Sequence, residues 1–116
     1  MRAPGYLSVG KKIDFLILSD LAMPAPLRIS VIIPVLNETA NVNRLISHLR
    51  TLPPREEPEI IVVDGDSSGS TLGVIADTRV RTAVAPRGRA AQMNHGASLA
   101  AGDILLFLHA DTLLPH

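Results

Sequence analysis

The chain has 116 residues, enough for one domain or part of one, and its 11 basic and 11 acidic residues balance without the basic excess of a nucleic-acid-binding module. The absence of cysteine excludes disulfides, thiolate catalysis and cysteine metal sites, and an aromatic content of 3% argues against stacking platforms for bases or sugar rings. Hydrophobic residues at 47% predict a globular core, and no apolar run approaches the roughly 18 residues that span a bilayer.

The leader, residues 1–27, differs in composition from the rest of the chain. It combines scattered glycine and proline with one short apolar run, 15–18, that lies between Asp14 and Asp20. A secretory signal needs an uninterrupted apolar stretch of roughly 7–15 residues, so we expect no export signal and a poorly ordered leader. Met23 lies just before the first predicted strand, and we expect translation to begin there rather than at Met1.

A strand and an amphipathic helix are the first elements predicted after the leader. The β-branched run over 29–34 predicts a buried strand that a proline closes. The helix that follows has a candidate cap at Asn37 or Thr39 and ends at Pro53-Pro54. Its apolar side chains recur at helical spacing along one face, namely Val42, Leu45, Ile46 and Leu49.

Strands and helices continue to alternate to the end of the chain. In chain order, we predict a strand over 59–64, a turn over 65–70, a short helix over 71–77, a weaker strand over 79–85, a helix over 88–101 and a strand over 104–108. The segment 88–101 is rich in small residues, which predicts a helix packed closely on a sheet and ended by Gly102. Nearly continuous apolar strands between helices are typical of an α/β fold with a parallel sheet covered on both faces. With right-handed crossovers, the four strands take the order 3-2-1-4.

Polar residues leave the carboxyl ends of the predicted strands, where ligands of open parallel sheets bind. They are Asn37 and Glu38 after the first strand, Asp64 and Asp66 after the second, and His109 and Asp111 after the fourth. Complementary charge comes from Arg87 and Arg89, which bracket Gly88 at the start of the small-residue helix. Carboxylates that can hold a hard divalent cation, beside arginines at a helix start, predict a site for a metal-bound diphosphate.

Four sequence blocks match a known family in their order and spacing: SVIIPVLNE (30–38), IIVVDGDSSGST (60–71), GRAAQMNHGASLAAGD (88–103) and LLFLHADT (105–112). Together they resemble the nucleotide-binding half of the family 2 glycosyltransferases, which have the Rossmann-like GT-A fold. The resemblance covers residues 28–116. It implies that the leader at 1–27 is followed by an incomplete glycosyltransferase 2-like nucleotide-sugar-binding domain at 28–116.

This resemblance implies an enzyme that moves a sugar from a nucleotide diphosphate sugar to an unknown acceptor, assisted by Mg²⁺ or Mn²⁺. Asp111 matches the last aspartate of the family's Asp-x-Asp-like motif, which holds the metal near the diphosphate. His109 stands at the first aspartate of that motif, and imidazole suits Mn²⁺ better than Mg²⁺. The positions implied to contact the nucleotide sugar are Pro34, Val35, Asn37, Glu38, Asp64, Gly65, Asp66, Arg87, Arg89 and Asn94.

The family's acceptor-binding half, with the acidic base of its inverting members, would follow His116. We therefore expect this chain to be a fragment that carries only the donor-binding half, with no catalytic base of its own. Nucleotide sugars are made in the cytoplasm, so a cytoplasmic location is expected. Peripheral membrane association of the complete protein stays open, and no nucleic-acid partner is expected.

Two alternatives to this function stay open. Residues 61–66, IVVDGD, resemble the strand and Asp-x-Asp of haloacid dehalogenase-type phosphatases, with Asp64 as nucleophile and Asp66 as general acid, although Ser67-Ser68 replaces the Gly-Thr expected next. The second alternative is a non-catalytic fragment that binds a nucleotide or nothing. A dinucleotide dehydrogenase is not expected, because no Gly-x-Gly-x-x-Gly follows the first strand.

Overall fold

The β-branched runs form strands and the segments with helical spacing form helices. A computed structural model describes residues 6–8, 27–51 and 57–111. The strands are β1 (Tyr6–Ser8), β2 (Ile29–Val35), β3 (Glu59–Asp64), β4 (Arg81–Val84) and β5 (Ile104–Phe107). The helices are α1 (Val42–Thr51) and α2 (Arg89–Leu99), with a 3₁₀ turn at Leu72–Val74.

The sheet is parallel throughout, and its strands lie in the order β1-β5-β2-β3-β4. From β4 to β5 this is the predicted order 3-2-1-4, so the predicted topology and the α/β class are confirmed. The pairing of β2 with β3 runs as far as Val35 and Asp64, whereas β5 pairs with β2 only as far as Ile32 and Phe107. The ends of β2, β3 and β4 therefore extend past the end of β5 at the carboxyl edge of the sheet.

The strand β1 belongs to the leader, which the sequence predicts to be poorly ordered. Its three residues pair in parallel with Leu105, Leu106 and Phe107 of β5. An outer strand offers unpaired backbone groups, and a short segment can satisfy them without a strong sequence pattern of its own. The other leader residues, including the predicted start at Met23, lie outside the described residues.

The two faces of the sheet are covered by different helices, as predicted. On one face, α1 packs its buried side chains on alternate residues of the central strands, among them Val31, Ile33, Ile60, Val62 and Leu106. On the other face, Ile32, Ile61 and Val63 pack with Ala97 and Leu99 of α2. In the described ranges, no helix is long and apolar enough to cross a membrane.

Small residues allow α2 to lie directly on the sheet. A Cβ atom at Gly96 would stand 2.5 Å from Ile32 Cγ2 and 3.1 Å from Val63 Cγ2, both closer than ordinary van der Waals contact. A larger residue at position 96 would push α2 away from β2 and β3. The predicted close packing of this helix is therefore confirmed at Gly96.

The helix predicted over 71–77 is only the short 3₁₀ turn at Leu72–Val74. The side chain of Asn43 on α1 explains the early end. Its Nδ2 donates to the carbonyl of Val74 at 2.7 Å, and its Oδ1 accepts from the N–H of Ala76 at 3.0 Å. These backbone groups are therefore unable to continue the helix, and the chain instead runs along α1 toward β4.

Candidate functional site

Asp64, the last residue of β3, joins the loops that follow β3 and β2. Its carboxylate is fully buried. Oδ1 accepts from the N–H of Asp66 at 2.8 Å, and Oδ2 accepts from the N–H of Thr71 at 3.0 Å. The hydroxyl of Thr71 accepts in turn from the N–H of Glu38 at 3.1 Å. Asp64 thus holds both loops in place, and its own carboxylate faces the interior of the turn.

Asp66 supplies the negative charge on the outer side of this turn. Its Oδ2 accepts from the hydroxyls of Ser70 at 2.7 Å and Ser68 at 2.9 Å, and its Oδ1 accepts from the N–H of Ser68 at 3.1 Å. The hydrogen bond from Ser70, followed by those from Ser68, lowers the pKa of Asp66 below its ordinary value. The carboxylate is therefore ionised at neutral pH, at the edge where a ligand would bind.

The loop after β2 is shaped by one residue in a left-handed conformation. Asn37 has φ 55° and is exposed, and asparagine tolerates this region better than most residues. The carbonyl of Glu38 then accepts from the N–H groups of Asn41 at 3.1 Å and Val42 at 3.0 Å. The contacts at the start of α1 thus come from Glu38, next to the caps predicted at Asn37 and Thr39. Pro34 and Val35 form the end of β2 just before this loop.

A buried glutamine that is not among the predicted site residues connects the arginine segment to the strand ends. The side-chain amide of Gln92 on α2 donates to the carbonyls of Val35 and Val63, at 2.9 Å each. Its Oε1 accepts from the N–H of Gly88 at 3.2 Å. A lone glutamine on the packed face of a helix of small residues, four positions before Gly96, was the signal that could have identified it.

Gly65 allows this arrangement, because its missing side chain leaves room for Gln92. A Cβ atom at Gly65 would lie 2.6 Å from Gln92 Oε1 and 3.3 Å from the Cα atom of Arg87. The structure therefore brings together three of the predicted segments, namely the end of β2, the turn at 64–66 and the arginine segment at 87–89.

The four arginines between positions 78 and 102 fall into two pairs with different surroundings. Arg79 makes ion pairs with Glu57 at 2.7 Å and Asp77 at 3.3 Å, and Arg81 donates to the carbonyl of Leu99 at 2.8 Å. Arg87 and Arg89 are exposed and make no ion pair with any residue that the structure describes. Their guanidinium groups are therefore available to an anionic ligand at the carboxyl edge.

His109 and Asp111 follow β5, on the side of β2 opposite to β3. The N–H of Leu108 donates to the carbonyl of Ile32 at 3.0 Å, beyond which the chain leaves the sheet. Asp111 is exposed and His109 is half-buried. Among the described residues, no three His, Asp or Glu side chains form a group that could hold a metal ion. Asp111 and His109 thus stay predicted metal ligands, and an ion held by these two residues would need its other ligands from a diphosphate and water.

Asn94 is a predicted site residue on the face of α2 that points away from the sheet. It is exposed, and it lies two residues from both Gln92 and Gly96, which face the sheet. Two residues correspond to roughly 200° around a helix, so Asn94 lies on the far side of α2. A shallow cleft of about 540 Å³ between α1 and residues 76–79 also lies elsewhere, since none of the predicted site residues lines it.

Comparison with known proteins identifies the family of this fold. The model of glycosyl transferase family 2 matches residues 30–116. A mannosyltransferase from Pyrobaculum calidifontis, solved in complex with GDP-Man and Mn²⁺, has a similar structure with a TM-score of 0.67 and 24% sequence identity. The match covers 80% of this chain but 30% of the mannosyltransferase. Comparison with curated proteins gives no match. The chain belongs to glycosyltransferase family 2, and its residues form the Rossmann-like N-terminal half of the family's GT-A fold.

Proposed function

We propose that the chain carries the donor-binding half of a metal-assisted glycosyltransferase, which binds a nucleotide diphosphate sugar for transfer to an acceptor. One observation carries this proposal: the acidic turn at 64–66 lies against the arginine segment at 87–89 on a single sheet edge. Family membership supports the reaction class. The mannosyltransferase of similar fold was solved with GDP-Man and Mn²⁺, which supports a nucleotide sugar and a divalent ion as ligands here.

The proposed roles follow from the charge that develops during sugar transfer. As the glycosidic bond breaks, the leaving nucleoside diphosphate gains negative charge. Arg87 and Arg89 can stabilise it through forked, charge-assisted hydrogen bonds to phosphate oxygens. Asp111, with His109 as a second ligand, would hold Mg²⁺ or Mn²⁺, and the bound ion would add Lewis-acid stabilisation of the same charge.

The nucleoside is assigned to the loop at 34–38 and the turn at 64–66. Asp64 acts there through the turn that it holds, since both oxygens of its carboxylate accept backbone N–H groups. Gly65 and Asp66 are assigned to the part of the turn that would contact the nucleotide. The cytoplasmic location and the expectation of a catalytic base outside this chain stay predictions.

The geometry of Asp64 disfavours the phosphatase alternative. A nucleophilic aspartate must present a carboxylate oxygen to a phosphate ester. Asp64 is 0% exposed, and each of its carboxylate oxygens accepts a backbone hydrogen bond. A phosphoryl group would reach Asp64 only if the turn at 65–70 opened. The proposal of a donor-binding site requires no such change.

Binding of UDP and GDP in the presence of Mn²⁺ tests the proposed function. We expect one of them to raise the melting temperature, because a ligand at about 100 times its Kd stabilises the folded state by roughly 2.7 kcal/mol. Asp111→Asn removes a carboxylate ligand of the ion, so the Mn²⁺-dependent part of the binding should disappear. Titration calorimetry with Mn²⁺ and with EDTA measures that part directly.

Glu57→Gln is the matched control, because Glu57 is an exposed carboxylate that pairs with Arg79 away from the proposed site. This variant should bind as the wild type does. If neither nucleotide binds the wild-type chain, the result contradicts the proposed donor site and favours the non-catalytic alternative. Equal affinity of Asp111→Asn and the wild type in Mn²⁺ would contradict the metal assignment.

A further inference from the structure

Gln92 is a buried polar residue on a helix face that otherwise packs through small and apolar residues. Its side chain is 4% exposed. Its side-chain NH₂ donates to the carbonyls of Val35 and Val63, which lie outside α2, and its Oε1 accepts from the N–H of Gly88, the residue that caps the start of α2. Burying an amide is unfavourable unless its hydrogen bonds are made, and an apolar residue would pack on the sheet without that requirement. Helix packing alone therefore does not explain a glutamine at this position.

The three backbone partners of Gln92 belong to the three segments of the proposed donor site. Val35 ends β2 and precedes the loop with Asn37 and Glu38. Val63 immediately precedes Asp64. Gly88 lies between Arg87 and Arg89. One neutral side chain thus links the segments assigned to the nucleoside and to the diphosphate.

The strand ends have other supports, whereas the arginine segment is more open. The carbonyl of Val35 also accepts from the N–H of Gly65 at 3.0 Å, and the carbonyl of Asp64 accepts from the N–H of Ala85 at 3.0 Å. Gly88 is exposed, with φ 141°, and a Cβ atom placed on it would have no neighbour within 4 Å. Apart from the side-chain contact with Gln92, its carbonyl accepts from the N–H of Gln92 at 2.9 Å, the first hydrogen bond of α2. Loss of the Gln92 amide should therefore displace the segment at 87–89 more than it displaces β2 or β3.

We propose that Gln92 is a positioning residue for the donor diphosphate, which holds the segment at 87–89 at a fixed place relative to the ends of β2 and β3. The inference rests on the proposed function, because it assigns the diphosphate to Arg87 and Arg89. Gln92 itself is buried beneath the site and acts through Gly88. Its loss should affect the recognition of the diphosphate more than the recognition of the nucleoside.

The test compares a nucleoside diphosphate with its monophosphate on the full chain in Mn²⁺. The probes are GDP with GMP and UDP with UMP, and the readout is the ratio of the two Kd values for the pair that binds more tightly. For Gln92→Leu, we expect the Kd of the diphosphate to rise roughly 10-fold, which is at the low end of the effect of residues that orient a binding group without touching the ligand. The Kd of the monophosphate should rise about 2-fold or less. Gln92→Met, which keeps the length of the side chain, replaces Gln92→Leu if that variant does not fold.

Ser30→Ala controls for a general loss of stability. Ser30 is also fully buried, and its hydroxyl donates to Glu59 at 2.7 Å and accepts from the N–H of Gly102 at 2.8 Å, at the amino edge of the sheet. This variant should melt at a lower temperature with an unchanged Kd ratio. A similar change of the ratio in Ser30→Ala and Gln92→Leu would overturn the inference.

Failure of the inference and failure of the proposed function give different results. If the wild type binds the diphosphate and Gln92→Leu keeps the wild-type ratio, Gln92 is not a positioning residue, and the donor site stands. If the wild type binds no diphosphate, the proposed function is wrong and the inference falls with it.

A measurement on the wild type covers the case in which neither variant folds. The amide resonance of Gly88 should shift on addition of the diphosphate and much less with the monophosphate, and equal shifts would overturn the inference.

Discussion

At the scale of single residues, the loop after β2 depends on the conformation of Asn37. Asn37 has φ 55°, and placing alanine in this left-handed conformation costs roughly 1–2 kcal/mol, whereas asparagine tolerates it better. Glycine adopts the same conformation without strain. We therefore expect Asn37→Ala to lower the free energy of unfolding by about 1 kcal/mol and Asn37→Gly to leave it nearly unchanged, as measured by urea denaturation.

Thr39→Ala, at an exposed position of the same loop, is the control for that pair of variants. It should change the free energy of unfolding by less than about 0.5 kcal/mol. If Asn37→Ala and Asn37→Gly are equally stable, the left-handed conformation does not limit the choice of residue at position 37.

Some contacts of single residues in the site cannot be predicted from the sequence. The sequence predicts that Asp64 lies at a strand end, but its burial within the turn depends on the N–H groups of Asp66 and Thr71. Gln92 has backbone partners in three separate segments. Backbone groups carry no signature in the sequence, so such contacts emerge only when the segments are placed in space.

At the scale of elements, α1 is tied to the segment before β4 by an ion pair between Arg50 and Asp77. Arg50 Nε donates to Asp77 Oδ2 at 2.8 Å, and the two side chains are 13% and 17% exposed. The hydrogen bond from Arg50, followed by that from the N–H of Arg79, lowers the pKa of Asp77 to about 2. Asp77 has its ordinary pKa near 3.8 once the chain unfolds. The contribution of Asp77 to stability is thus present at neutral pH and is lost as the pH falls from about 4 to about 2.

Asp77→Asn should therefore lower the free energy of unfolding at pH 7 by roughly 1–2 kcal/mol, because Arg50 loses its charged acceptor. Below about pH 2 the variant and the wild type should be equally stable. Urea denaturation at several pH values measures both effects. Glu57→Gln, which removes the exposed partner of Arg79, should change the pH dependence little. A constant difference between Asp77→Asn and the wild type from pH 7 to pH 2 would contradict the assignment.

Most strands and helices can be predicted from the residue pattern, and two elements cannot. Long β-branched runs form β2 and β3, because their side chains fill both faces of a covered sheet. The helix predicted over 71–77 fails because Asn43, which is distant in sequence, takes the hydrogen bonds of Val74 and Ala76. The three-residue strand β1 is too short for an alternating pattern to be visible.

At the scale of the whole molecule, the formal net charge is zero, but the charged side chains are unevenly distributed over the surface. Arg79 is held by nearby acids, whereas Arg87 and Arg89 stand beside the acidic turn without an ion pair among the described residues. We expect Arg87→Gln and Arg89→Gln each to weaken the binding of UDP or GDP in Mn²⁺ roughly 10-fold, because each removes charge-assisted hydrogen bonds to phosphate. Titration calorimetry at fixed ionic strength measures the change.

Arg79→Gln has the same charge change at a position outside the proposed site, so it controls for the altered net charge of the molecule. It should bind these nucleotides as the wild type does. If all three arginine variants weaken binding equally, the attraction is a general property of the surface charge, and the site at 87–89 is wrongly placed.

The chain of hydrogen bonds from Asp64 through Thr71 to Glu38 has a mechanical consequence. The buried carboxyl group of Asp64 closes the turn after β3 and, through Thr71, restrains the loop after β2, so the two loops are mechanically coupled. If a nucleoside binds at these loops, as proposed, much of the rigidity of its pocket is thus present before binding, and less ordering entropy opposes the binding. Damage to either loop should accordingly loosen the other, even where no ligand touches it.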